Sequence, residues 1–102
     1  MLVNKPYYAV IFSNYRTDVD EGYNETAILM EELARKQPGF LEFESARSGL
    51  GISVSYWKSM EAIANWKQQL DHKLAQQKGI SDWYSWYKVR ICEVQREYEF
   101  KK

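Results

Sequence analysis

Tyr7-Tyr8-Ala9-Val10-Ile11-Phe12 is rich in aromatic and β-branched residues, is bounded by Pro6 and by the polar Ser13-Asn14, and reads as a β-strand. Tyr7, Ala9 and Ile11 fall on one face; Tyr8, Val10 and Phe12 fall on the other. A strand apolar on both sides has to be covered on both sides. That requirement organises the reading of the rest of the chain.

Outward from this strand, Asp18-Val19-Asp20-Glu21 carries a capping-box spacing, so a helix is expected to begin there. Val19, Tyr23, Ala27, Met30 and Ala34 form its apolar stripe, and Gln37-Pro38-Gly39 stops it. Residues 40–47 and 51–57 are two further strands joined by Ser48-Gly49-Leu50-Gly51, whose glycines suit a hairpin. In the second of these Ile52, Val54 and Tyr56 face one way while Ser53, Ser55 and Trp57 face the other, which fixes its register. Ser59 is placed to cap a second helix, with Met60, Ile63, Lys67, Leu70 and Leu74 at helical spacing and Trp66 at the stripe edge. A turn or short helix over 79–84 leads to a long final strand over 86–98. No repeat or linker interrupts the chain, so residues 1–102 are read as one domain.

The order strand, helix, strand, strand, helix, strand implies an α+β, ferredoxin-like βαββαβ fold: a four-stranded antiparallel sheet with both helices on one face, because each crossover takes the same hand. The other face is left bare, and a homodimer through that open sheet face is the economical cover, since one patch serves both subunits. The competing reading is a monomer whose open face is aromatic and partly wet.

Composition narrows the function. Lys+Arg and Asp+Glu are equal at 14 each, so no net field draws the chain to nucleic acid or to a membrane surface. No apolar run approaches the roughly 20 residues of a membrane span and no signal-like segment is present, so a cytoplasmic location is expected. One histidine and one cysteine, Cys92, make a side-chain metal site unlikely to assemble and exclude an intrachain disulfide. Gly49-Leu50-Gly51 lacks the third glycine of a dinucleotide fingerprint, and no nucleophile elbow occurs. RNA-binding modules share the element order, but here Glu42 and Glu44 stand where phosphates would need cations. Aromatic residues at 16% exceed what a core this size needs and favour interfaces and ligand pockets.

Tyr8-Ala9-Val10-Ile11-Phe12-Ser13, Gly22-Tyr23, Gln37-Pro38-Gly39-Phe40, Glu44-Ser45, Ser55-Tyr56-Trp57-Lys58-Ser59, Trp66-Lys67, His72-x-x-Ala75 and the last strand with Arg90 resemble the antibiotic biosynthesis monooxygenase family over most of the chain. The resemblance implies a dimeric α+β barrel with a pocket between helices and sheet in each subunit. It also implies oxidation of small hydrophobic phenolic or quinol substrates without metal or flavin, with haem degradation or non-catalytic, stress-related ligand binding as alternatives. Cofactor-free oxidation needs a base, hydrogen-bond donors and a dry aromatic cavity. His72 is the expected base, histidine being the residue type that ordinarily titrates near neutrality. Asn14 and Trp66 complete the expected catalytic set, and Tyr56, Trp83 and Arg16 are expected to hold substrate. Haem-degrading members would place an iron-binding histidine near Gln76, one helical turn beyond His72.

Each residue also has a plainer reading. A lone histidine near a helix end serves as a cap or surface group, Trp66 as core, Asn14 as a partner for local backbone groups, and Arg16 as a solvated charge. The Trp83-Tyr84-Ser85-Trp86-Tyr87 cluster serves equally as subunit contact.

Overall fold

The structure, a computed structural model, describes residues 6–74 and 80–102. Along the chain run β1 (Tyr7–Arg16), α1 (Tyr23–Arg35), β2 (Phe40–Ser48), β3 (Leu50–Trp57), α2 (Met60–Leu74), the single turn α3 (Ile80–Trp83) and β4 (Tyr84–Val94). The strands make one antiparallel sheet in the order β2-β3-β1-β4. This is the expected βαββαβ arrangement, with α3 as the short helix before the last strand; Gly79, expected to open that turn, lies outside the described residues.

The doubly apolar β1 is an interior strand, flanked by β3 and β4. On its helix side Val10 joins Trp57, Ala34, Ala62 and Ile63 in the core, with Tyr8, Phe40 and Trp66 packed against it. Tyr8, Trp57 and Phe40 are register partners and form one row across three strands. Trp57 is 0% exposed, and its indole N–H donates to the buried Ser55 hydroxyl at 2.8 Å. That bond lets the alternating strand bury a polar atom without leaving it unpaired.

The start of the first helix and the end of the last strand differ from expectation. The first helix begins at Tyr23, with Gly22 at φ 77° as its N-cap and no side-chain cap. Asp20 is instead held by Arg16 at 2.9 Å, and Thr17 accepts the Val19 N–H, so Val19 stands outside the helix and exposed. Ser59 does cap the second helix, accepting the Ala62 N–H at 3.0 Å. Its buried side runs through Ala62, Ile63 and Trp66; Met60 is half exposed and Lys67 pairs outward with Asp71 at 2.9 Å. The last strand ends at Val94, not 98, because Val94 pairs with Tyr7, the first residue of β1, and Pro6 can donate no further ladder bond.

The second face of the sheet carries Tyr7, Ile11 and Tyr15 of β1, Ile52, Val54 and Tyr56 of β3, and Trp86 of β4. Register places Glu42 and Glu44 on its β2 edge and Lys88 and Arg90 on its β4 edge. Tyr15, Ile52 and Trp86 are exposed there. Among the described residues no helix is long and apolar enough to cross a membrane.

Candidate functional site

On the helix side, β1 presents Phe12, Asn14 and Arg16 in alternation toward its C-terminal end. Asn14 is 1% exposed and pairs with Gly51 of β3 and Tyr87 of β4, while Gly51 pairs with Arg47 of β2. Arg47, Gly51, Asn14 and Tyr87 therefore form a row across the whole sheet. Gly51 has no side chain, so the Arg47 guanidinium lies across it; a Cβ there would collide with the guanidinium. Arg47 Nη2 donates to Asn14 Oδ1 and Nη1 to the Gly49 carbonyl at 3.3 Å. A guanidinium can only donate, so this contact fixes which way the Asn14 amide points. Its Nδ2 reaches the Gly51 carbonyl at a long 3.5 Å, leaving most of its donor capacity unspent.

Beside this row Arg16 is tied down by three hydrogen bonds. Its Nε donates to the Trp83 carbonyl at 3.1 Å, and Nη2 to the Val19 carbonyl and Asp20 carboxylate at 2.9 Å each. Its guanidinium also lies 3.3 Å from the centre of the Tyr23 ring. Trp83 is buried, with its indole N–H on the Glu21 carbonyl at 2.9 Å. Tyr23 meets Trp83 and Tyr84 edge-on, and Phe12 meets Tyr84 at 5.4 Å and Tyr87 at 5.6 Å. Burial and then the hydrogen bond with Tyr23 push the Tyr84 phenol well above its usual pKa, against the opposing pull of Arg16 and Arg47. Tyr84 is therefore neutral at physiological pH.

Trp66 stacks on Trp57 at 5.0 Å with 26° between the rings, and its buried indole N–H has no acceptor among the described residues. Trp57 and Gly51 are six residues apart on β3, roughly 20 Å of strand. Asn14 and Trp66 thus belong to one face but to different stretches of it. Helices α1 and α2 lie over β2 and β3. The β4 side of that face, with Tyr87, Val89 and Ile91 at 59%, 50% and 46% exposure, stays open.

Of the residues singled out from sequence, Asn14, Arg16 and Trp83 gather at one end of this face, and Trp66 lies further along it. Tyr56 does not join them. Strand alternation puts it on the opposite face, where its hydroxyl donates to Glu44 at 2.7 Å and its pKa is pushed up to about 12, chiefly by that bond. His72 is exposed in the last turn of α2. It follows Leu70 by two residues, about 200° of helix rotation, and so turns away from the sheet. Gln76, the comparison point for an iron ligand, lies outside the described residues. Sequence reasoning missed Arg47, Tyr23 and Tyr84 as a group. The available signal was Gly51: a glycine inside a strand marks close approach of another group, whereas here it was assigned to the hairpin.

Residues 6–78 match the profile of the family described as antibiotic biosynthesis monooxygenase. The chain is 50% identical over 99 residues to the uncharacterized protein YqjZ of Bacillus subtilis (strain 168), covering 95% of this chain and 87% of that protein. A variant of SnoaB, a cofactor-independent oxygenase from Streptomyces nogalater, superposes with a TM-score of 0.72 at 11% identity, covering 89% of this chain and 95% of the other. A variant of MhuD, with two manganese protoporphyrin IX molecules bound per active site, superposes with a TM-score of 0.69 at 17% identity, covering 91% and 99%. At these identities the two structural likenesses are likenesses of fold.

Proposed function

The chain belongs to the antibiotic biosynthesis monooxygenase family, and from that premise we propose that it is a cofactor-independent monooxygenase. Its substrate in this reading is a small phenolic or quinol compound held on the helix side of the sheet. The observation that carries the reading is the indole N–H of Trp66, buried and without an acceptor among the described residues. A buried donor left unpaired costs about 1–3 kcal/mol. A substrate oxygen that reaches the Trp66 N–H removes that cost, while Trp57, 0% exposed, stays a core residue behind it. Asn14, its amide oriented by Arg47, presents a donor at the other end of the same face, about 20 Å of strand away. Oxidation then proceeds from the substrate anion, which passes an electron to O₂, so groups that favour the anion lower the barrier.

His72 has no place on the sheet-facing side of α2, and its role as base is put to a variant. The haem alternative asks for an imidazole on that face. Among the described residues none is presented there, so no step through haem is derived. Ligand binding without turnover is the second reading, and the outward position of His72 favours it.

Oxygen uptake above the protein-free rate, with a panel of naphthohydroquinones and anthrones, tests the proposal. Uptake is expected with at least one compound, with kcat/KM lowered at least tenfold by Trp66→Phe, an order set by the loss of one buried hydrogen bond. Absence of uptake across the panel withdraws the oxygenase reading; tight binding without uptake establishes the second. His72→Ala is expected to stay within about twofold of the parent, because a group outside the site contributes no general-base factor of 10²–10⁴.

A homodimer through the open sheet face completes the proposal. A twofold axis running along the strands sets the Glu42/Glu44 edge of one copy over the Lys88/Arg90 edge of the other. The apolar centre, with Ile11, Ile52 and Val54, is then buried between two acid-base seams.

A further inference from the structure

Among the described residues of the helix-side site, the charge of Arg47 is answered by no carboxylate. Three ion pairs occur among the described residues: Arg16 with Asp20, Arg35 with Glu31, and Lys67 with Asp71. Arg47 is in none of them. Its partners are two neutral oxygens, Asn14 Oδ1 and the Gly49 carbonyl, and the adjacent phenol of Tyr84 stays protonated because burial and Tyr23 hold it so. The nearest carboxylates on its own strand and the preceding turn of sequence, Glu42 and Glu44, fall on the opposite face, Glu44 bound to Tyr56.

The guanidinium is also placed, not loose. It is laid flat over Gly51, tied at one end to the buried Asn14 and at the other to the hairpin. Alongside it the face continues as an aromatic floor of half-buried Phe12 and Tyr84 and exposed Tyr87, with Val89 exposed in the next row. An immobilised guanidinium with spare N–H groups is a receptor for a planar oxyanion, since its fork matches a carboxylate with two parallel donors.

We propose that Arg47, held across Gly51 against Asn14, receives a carboxylate, and that the ligand of this face is an aromatic carboxylic acid whose ring lies on Phe12, Tyr84 and Tyr87. The proposal goes beyond the reading above: it places a ligand at the Asn14 end of the helix side, a different stretch from Trp66. Gly51 is part of the device: any side chain there removes the guanidinium from its seat.

Titration calorimetry with 6-hydroxy-2-naphthoic acid and with its methyl ester tests this. The acid is expected to bind the parent protein at least tenfold more tightly than the ester at low ionic strength, and the preference is expected to shrink in high salt. Arg47→Gln is expected to bring the two within about twofold while the ester's affinity holds, which also shows that the variant is folded. Gly51→Ala, displacing only the end of a flexible side chain, is expected to do the same. Equal binding of acid and ester by the parent, or a preference that survives Arg47→Gln, overturns the carboxylate assignment and leaves the aromatic site standing. Binding of neither compound overturns the aromatic site and this proposal with it.

Discussion

Trp57 and Trp66 stack on each other in one core, yet their indole N–H groups have opposite fates. Trp57 donates to Ser55 at 2.8 Å and Trp66 donates to nothing described. Ser55→Ala should therefore leave a second orphan donor and cost about 1–3 kcal/mol in urea unfolding, while a surface serine such as Ser45 should cost far less on the same change. Tyr56 offers a test by pH. Its folded pKa of about 12 exceeds the roughly 10 of an unfolded tyrosine, so its bond to Glu44 stabilises the fold fully below pH 10. That contribution should fade as pH rises from about 10 to about 12, and Glu44→Gln should return Tyr56 toward 10 in an ultraviolet titration. At this scale the sequence identified residue types better than their surroundings. Asn14, Arg16, Trp66 and Trp83 do share the helix side. Tyr56 was misplaced although its own strand alternation, plain in Ile52-Ser53-Val54-Ser55-Tyr56, already put it opposite Trp57. Arg47 left only the indirect mark of Gly51, because its position depends on which strands are neighbours.

Element by element, the periodic segments were legible and their ends were not. Both helices and all four strands follow from spacing, but α1 starts at Tyr23, behind a left-handed Gly22 with no side-chain cap, although Asp18 and Glu21 carry the capping-box spacing. The final strand was drawn too long because a strand extends only as far as its partner does, and β1 begins at Tyr7. The turns make a prediction of their own. Gly39 and Gly49 both have positive φ, at 86° and 82°, but a Cβ at Gly39 would sit 2.6 Å from that of Ala62, whereas one at Gly49 meets open space. Gly49→Ala should cost about 1 kcal/mol from backbone conformation alone. Gly39→Ala should cost roughly 2–4 kcal/mol, since a methyl fixed on the backbone must also push α2 from β2. Equal unfolding midpoints for the two variants would contradict this packing of helix on turn.

For the whole molecule, the arrangement divides labour between the two faces of one sheet. The open face, apolar in the middle and oppositely charged at its edges, is suited to a second copy; the helix face leaves Tyr87, Val89 and Ile91 of β4 exposed beside Arg47 and Asn14. The double apolar character of Tyr7-Tyr8-Ala9-Val10-Ile11-Phe12 anticipated both demands, but not the charge seam, which emerges only when β2 and β4 become the two edges. Sedimentation at micromolar concentration should give twice the 12.1 kDa chain mass. Reversing Lys88 and Arg90 to Glu should weaken association at least tenfold, and reversing Glu42 and Glu44 to Lys in the same chain should restore it. The most direct test of the account is the indole N–H spectrum under argon, with Trp66 assigned through Trp66→Phe, as 1,4-naphthohydroquinone is added. The Trp66 signal should move downfield as it gains an acceptor while those of Trp57 and Trp83, already bonded to Ser55 and Glu21, hold still. A Trp66 signal that stays fixed while only the exposed Trp86 shifts would contradict it.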